Sequence, residues 1–276
     1  MSISDGGADA RAAVLWFGMR ARILLICGRG AAALALLALL SVGRGAEHVS
    51  WRDIESRIQY GYYTEDGTAL HTLEDTLAAE ASGDRLHGYY SALLAWRLAQ
   101  LTARTPAAGH GLSALQLAAR CVSETDALIA AQADFAEALA LRAACRAAPA
   151  ADEASAGAYA GHRARHDLER ALQLAARNPR VLLVDALDDY QLSSAAGGNK
   201  ERALVKMRRA IAAFEAERAD AEPLPGWGAA EAYLLLGRSL LDHGEAVGAR
   251  DALERALLIA PEFAQARRLM AHITGG

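Results

Sequence analysis

The chain has 276 residues, is 53% hydrophobic and 22% charged, and carries a formal net charge of -4. That composition supports a sizeable core and excludes disorder by composition. It gives no electrostatic footprint for nucleic acid, whose binders concentrate positive charge on one face. Lys200 and Lys206 are the only lysines, and the arginine and alanine bias reads as that of a GC-rich bacterial genome.

The N-terminus reads as an export signal. Arg20, Arg22 and Arg29 precede the apolar run Ala31 to Val42, and the small residues Ser41, at the end of that run, and Gly43, Gly45 and Ala46, after it, complete the pattern. Residues 1–45 are therefore expected to be a signal, cleaved after Gly43 or Gly45, with Met19 as an alternative start. The other reading is an uncleaved tether through residues 23–42, in which Arg29 near the centre of the span costs roughly 2.5 to 3.5 kcal/mol. The expected compartment is the periplasm, or the inner membrane facing it.

From residue 46 onward the apolar periodicity is helical throughout, with no strand alternation. Helices are expected near 50–63, 67–82, 84–102, 113–132, 134–147, 153–177, 179–193, 199–219, 228–243, 245–259 and 262–274. Short Gly, Pro or Asn turns join them, and Asp84, Ser113 and Asp134 are placed to accept from amides of a first helical turn. In the last helix Gln265, Arg267, Arg268 and His272 are expected to face water while Phe263, Leu269 and Ile273 cover the preceding pair.

Tyr60, Tyr62, Tyr63, Tyr89, Tyr90 and Trp96 cluster in the N-terminal half. Helical spacing reads Tyr89, Leu93 and Trp96 as core, and a ligand groove is the competing reading. Cys121 and Cys145 lie equally far from the helix turn near Ala133, which places them at one height of a hairpin. They are either a disulfide, in an oxidising compartment, or two buried thiols. His162 and His166 share a helical face beside Asp167, but without a third ligand they are read as solvated, and no metal or cofactor is expected. Asp185, Asp188 and Asp189 are likewise read as a solvated acidic face. Glu55-Ser56 resembles the Glu-Ser pair of helical lytic transglycosylases, but the Gly-Leu-Met-Gln run of those enzymes is missing, so no catalytic role is expected.

Between Tyr233 and Pro261 the pattern sharpens. Tyr233, Leu236, Gly237 and Leu240 keep one face of a first helix, Gly244 ends it, and Ala249, Leu253 and Ala256 form the stripe of a second helix stopped by Pro261. Leu168-Glu169-Arg170-Ala171-Leu172 recurs as Leu253-Glu254-Arg255-Ala256-Leu257, each followed by a proline. Ala203, Met207 and Ala210 repeat the spacing of the second stripe. Asp134-Phe135-Ala136-Glu137-Ala138 parallels Glu262-Phe263-Ala264-Gln265-Ala266.

This resembles the tetratricopeptide repeat, a two-helix unit of about 34 residues, with Leu240 and Leu253 standing where the family carries aromatics. The resemblance implies an α-solenoid of stacked antiparallel helix pairs over residues 46–276. It further implies a binding scaffold for a protein or peptide partner, with Glu231, Leu234, Arg238, Leu241 and Asp242 on the inner wall. The expected function is a non-catalytic adaptor or assembly factor of the cell envelope. The alternative is a periplasmic small-molecule or wall-fragment binder serving a transporter, a reading that an enclosed pocket would favour.

Overall fold

The computed structural model describes residues 50–79, 84–147, 154–192, 197–217 and 224–275, with only the backbone of 154–160. The export signal or anchor expected over residues 1–45 lies outside the described residues. Eleven α-helices are described: α1 (Trp51–Thr64), α2 (Gly67–Ala79), α3 (Arg85–Arg104), α4 (Ala114–Ala131), α5 (Ala136–Arg146), α6 (Ala154–Leu174), α7 (Pro179–Gln191), α8 (Lys200–Ala216), α9 (Ala229–Asp242), α10 (Ala246–Ile259) and α11 (Ala264–Thr274). Among the described residues no helix is long and apolar enough to cross a membrane.

Local chemistry explains most of the boundaries. Ser113 and Gln116 form a reciprocal capping box at α4, while Asp84, Asn178 and Asn199 each accept from amides one turn inside α3, α7 and α8. Pro179 occupies the first turn of α7, where its missing N–H costs nothing. At the end of α9 the Gly244 amide reaches the Leu241 carbonyl and the Glu245 amide reaches that of Leu240, with Gly244 at φ 76°. That closure needs the left-handed backbone which glycine adopts without a steric penalty.

Asp134 does not cap α5. The capping position is taken by Phe135, which makes no side-chain cap bond and is buried beside Tyr89, ring centroids 5.4 Å apart. Phe263 occupies the same position at α11 and is also buried. At both sites burial of a ring against the preceding helices sets the start of the helix, and the acidic residue before it stays in the turn.

Packing proceeds in antiparallel pairs, α1 with α2, α3 with α4, α5 with α6, α7 with α8 and α9 with α10, and α11 follows alone. Within the α9–α10 pair the helices approach closely because small residues stand at the crossing. A Cβ on Gly237 would lie 2.9 Å from Leu253 Cγ and 3.3 Å from the Ala249 carbonyl oxygen, so α9 meets α10 at a distance only glycine permits. Ala249, Ala252, Leu253 and Ala256 of α10 are all buried in that contact. Cys121 on α4 and Cys145 on α5 are joined by a disulfide with Cα atoms 6.1 Å apart, tying two successive pairs together.

The first helix returns to the last. Tyr62 and Tyr63 of α1 share one apolar cluster with Ala230 and Leu234 of α9, Leu253 and Ala256 of α10, and Phe263 of α11. The Tyr63 and Phe263 rings are 4.4 Å apart, and Glu65 accepts two bonds from the Arg268 guanidinium at 2.6 and 2.8 Å. The far end of α1 is held too, since Glu55 accepts from the Gly226 amide at 2.8 Å and from the Tyr90 hydroxyl at 2.9 Å. Thus α1 lies across the edge of the concave wall made by α3, α5, α7 and α9. Gln265 is consequently buried on α11 rather than facing water, whereas Arg267, Arg268 and His272 are exposed.

Candidate functional site

The concave wall encloses a cavity of 260 Å³. Its floor is built from Trp96 and Arg97 on α3, Leu183 and Val184 on α7, and Leu234 on α9, with Trp227 entering from the loop before α9; all are buried. Ala103, Arg104 and Gln191 form an exposed rim. Large apolar side chains stand at the bottom because four first helices each turn one stripe inward, and the ends of those helices leave polar residues at the mouth.

Arg97 anchors the floor. Its side chain is only 1% exposed, and its guanidinium carbon lies 4.1, 4.6 and 4.9 Å from the rings of Tyr62, Trp96 and Trp227. Aromatic faces stabilise a desolvated cation there by their quadrupoles. The charge itself is met by Glu231, which also accepts from the Tyr63 hydroxyl at 2.8 Å and the Gln59 amide at 3.2 Å. Burial, followed by the adjacent Glu231 charge, pushes the Tyr63 hydroxyl well above its ordinary pKa, so it stays a neutral donor. Trp227 is fixed by an Nε1–H bond of 2.9 Å to the Tyr89 oxygen.

Of the five residues placed on the inner wall by the repeat pattern, Glu231, Leu234 and Arg238 line the cavity, and Leu241 and Asp242 lie beyond its lining. Leu241 packs beside Leu204, Leu240, Ala249 and Ala252. Asp242 accepts from Lys200 Nζ at 2.6 Å and from the Tyr190 hydroxyl at 3.0 Å. The eleven-residue step from Glu231 carries it about 16 Å along the helix, past the cavity and level with the ends of α7 and α8. Lys200 holds the Asp242 carboxyl below its ordinary pKa, since the ammonium favours the charged form.

Trp96, read from its spacing as core with a groove as the competing reading, and Tyr62, offered for a groove, are both buried and both line the cavity. Tyr60 is 58% exposed on the outer side of α1. Trp227, Arg97, Arg104 and Gln265 carry the site without having been singled out by the repeat pattern. A lone tryptophan between Gly226 and Gly228, outside any helical stripe, was the available signal.

The remaining polar candidates serve the fold. Asp185, Asp188 and Asp189 are not a solvated face: Asp188 and Asp189 are buried, Lys206 bonds Asp185 and Asp189 at 2.7 Å each, and Arg202 chelates Asp189. Asp167 turns away from the exposed His162 and His166 and pairs with Arg142 and Arg146. Among the described residues no group of three metal-ligating side chains converges.

No family model matches the chain, and a search of curated proteins finds no match. Solved structures do match. One is the thermophilic tetratricopeptide-repeat protein TTC0263 of Thermus thermophilus, 17% identical, with a TM-score of 0.54 over 82% of this chain and 100% of that one. Another is the HusA haemophore of Porphyromonas gingivalis, 18% identical, with a TM-score of 0.55 over 71% of this chain and 96% of that one. The chain thus has an all-α, tetratricopeptide-repeat-like fold, as the pattern around Gly237 implied.

Proposed function

We propose that this chain is a non-catalytic binding protein of the bacterial cell envelope whose concave cavity holds a ligand of small-molecule size. The observation that carries the reading is the closure by α1. With Tyr62 and Tyr63 seated against α9 and α11, the inner wall offers a 260 Å³ cavity with a buried aromatic floor. That suits a compact organic ligand, for which concave, mainly apolar pockets with few polar groups are typical. A helix about 10 Å across does not fit such a space. The scaffold is one that hosts many binding roles, and Glu55, of the Glu55-Ser56 pair, is engaged by Gly226 and Tyr90.

Export is supported by the basic, apolar and small-residue order of residues 20–46 and by the Cys121–Cys145 bridge, since disulfides persist mainly in oxidising compartments. The second reading, a protein partner bound as by an adaptor or assembly factor, is favoured by the exposed rim at Ala103, Arg104 and Gln191. There the end of a partner chain has access to the floor. The HusA match bears on fold alone.

The test is recovery of the exported protein from its own cells, with native mass spectrometry for retained compounds and crosslinking for partners. An Ala103→Trp variant, which fills the mouth from an exposed position, serves as control. A retained compound lost in the variant supports the small-ligand reading, and a crosslinked partner lost in the variant supports the second. Neither species depending on Ala103 would overturn the cavity as the binding site.

A further inference from the structure

The unspent hydrogen-bonding capacity of the cavity is one-sided. Gln265 lines the cavity and is 5% exposed, its Oε1 accepts from Arg238 at 2.7 Å, and its Nε2 group is buried with no acceptor among the described residues. Arg97 Nε on the floor is also a buried donor without a partner. The one carboxylate among the described lining residues, Glu231, is already engaged by Arg97, Tyr63 and Gln59. A buried N–H left unmet costs about 1 to 3 kcal/mol, so these donors describe the acceptor that completes them.

The charges agree. Among the described lining residues three cations, Arg97, Arg104 and Arg238, stand against one anion, Glu231. Arg97 is matched by Glu231, and Arg104 lies 3.6 Å from Glu65. Arg238 is bonded only to the neutral Gln265 and has no carboxylate partner among the described residues. A second hollow shares Arg104, Arg238 and Gln265 with the cavity and adds Arg268, Leu269 and His272, and no acidic side chain stands among its described lining residues. One uncompensated guanidinium beside one free amide donor matches a single planar anion, because the fork of arginine meets two carboxylate oxygens at once.

We infer that the cavity binds an organic monocarboxylate, its apolar body against Trp96, Trp227 and Leu234 and its carboxylate against Arg238 and the Gln265 amide. This rests on the proposed role of the cavity as a binding site. The same chemistry is offered by a free aromatic or alkyl acid and by the C-terminal residue of a peptide.

Isothermal titration with two matched pairs of probes tests it: 1-naphthaleneacetate with 1-naphthaleneacetamide, and the tripeptide Gly-Gly-Phe as free acid with its C-terminal amide. At least one acid is expected to bind tenfold or more tightly than its amide. Preference for naphthaleneacetate identifies a free acid as the natural source, preference for the tripeptide acid identifies a chain end, and both outcomes support the inference. Arg238→Gln is expected to abolish the preference. So is Gln265→Glu, which supplies Arg238 with an internal carboxylate and keeps α11 anchored, with circular dichroism melts confirming that both variants fold. Acid and amide binding equally would overturn the carboxylate and leave the cavity standing as a site. No binding by any of the four probes at millimolar concentration would overturn both.

Discussion

Arg97 on α3 and Glu231 on α9, 134 positions apart in the chain, form an ion pair beneath three aromatic rings, with the arginine side chain 1% and the glutamate side chain 11% exposed. Removing one partner of a buried pair strands the other charge, at about 3 to 5 kcal/mol, whereas replacing both by apolar groups of similar volume is often neutral or better. Glu231→Gln is therefore expected to destabilise the protein by about 3 kcal/mol. The double variant Arg97→Met with Glu231→Leu is expected to recover most of that loss. Urea denaturation of the two variants beside the parent checks both. A single variant within about 0.5 kcal/mol of the parent would show that the pair is open to water.

Gly237 concerns stability without touching the cavity floor. Its missing Cβ leaves room for Leu253 at 2.9 Å and the Ala249 carbonyl at 3.3 Å, one of them backbone. A leucine there must push α10 away from α9, and overpacking of this kind costs about 1 to 3 kcal/mol or more. Gly237→Leu is expected to lower the melting temperature and to weaken the Tyr62, Tyr63 and Phe263 cluster that shares Leu253. An unchanged melting curve would mean that the pair relaxes at no cost.

Features coded by neighbours in sequence were legible in the sequence, and features coded across the fold were not. Ser113, Asp84, Pro179 and Gly244 act within one helical turn, so their caps and stops could be read directly. Tyr63 lies on the first described helix and Phe263 at the cap of the last, far apart in sequence, and no periodicity announces their contact. Gln265 shows the consequence. On its own helix it sits among Arg267, Arg268 and His272 and reads as solvated, but its Oε1 receives Arg238 from α9 and its side chain is buried. The Asp185, Asp188 and Asp189 cluster was misread for the same reason, because Arg202 and Lys206 arrive from the next helix. Of the wall residues implied by the repeat resemblance, Asp242 lies beyond the cavity because of its distance along the helix axis.

The Cys121–Cys145 bridge spans a sequence separation of 24 and joins α4 to α5. Closing a loop of that length in the unfolded chain stabilises the folded state by about 3 kcal/mol on the chain-entropy account. Reduction, or the paired substitution Cys121→Ser with Cys145→Ser, is expected to lower the urea midpoint correspondingly. In protein recovered from the periplasm, thiol alkylation followed by mass spectrometry should label neither residue. Full labelling of native exported protein would remove the bridge and, with it, one support for export.

Glu55 gives the fold a pH dependence of definite sign. Burial raises its pKa above the usual carboxylate range, and the Gly226 amide and Tyr90 hydroxyl offset part of that shift by favouring the charged form. A carboxyl whose folded pKa exceeds its unfolded value binds more protons when folded, so this residue contributes stability that is fully present below the unfolded pKa. That contribution is lost as pH rises through the folded pKa. Glu55→Gln keeps an acceptor for the Gly226 amide and removes the titration. The stability of the variant relative to the parent should therefore improve as pH rises from the ordinary carboxylate pKa through the raised folded one, while Glu65, whose carboxyl is held low by Arg268, contributes the opposite slope equally in both proteins. Denaturant titrations of parent and variant at three pH values isolate the effect of Glu55 as a difference. A difference independent of pH would show that α1 opens at that end, leaving Glu55 in water and releasing the contact with the loop that carries Trp227.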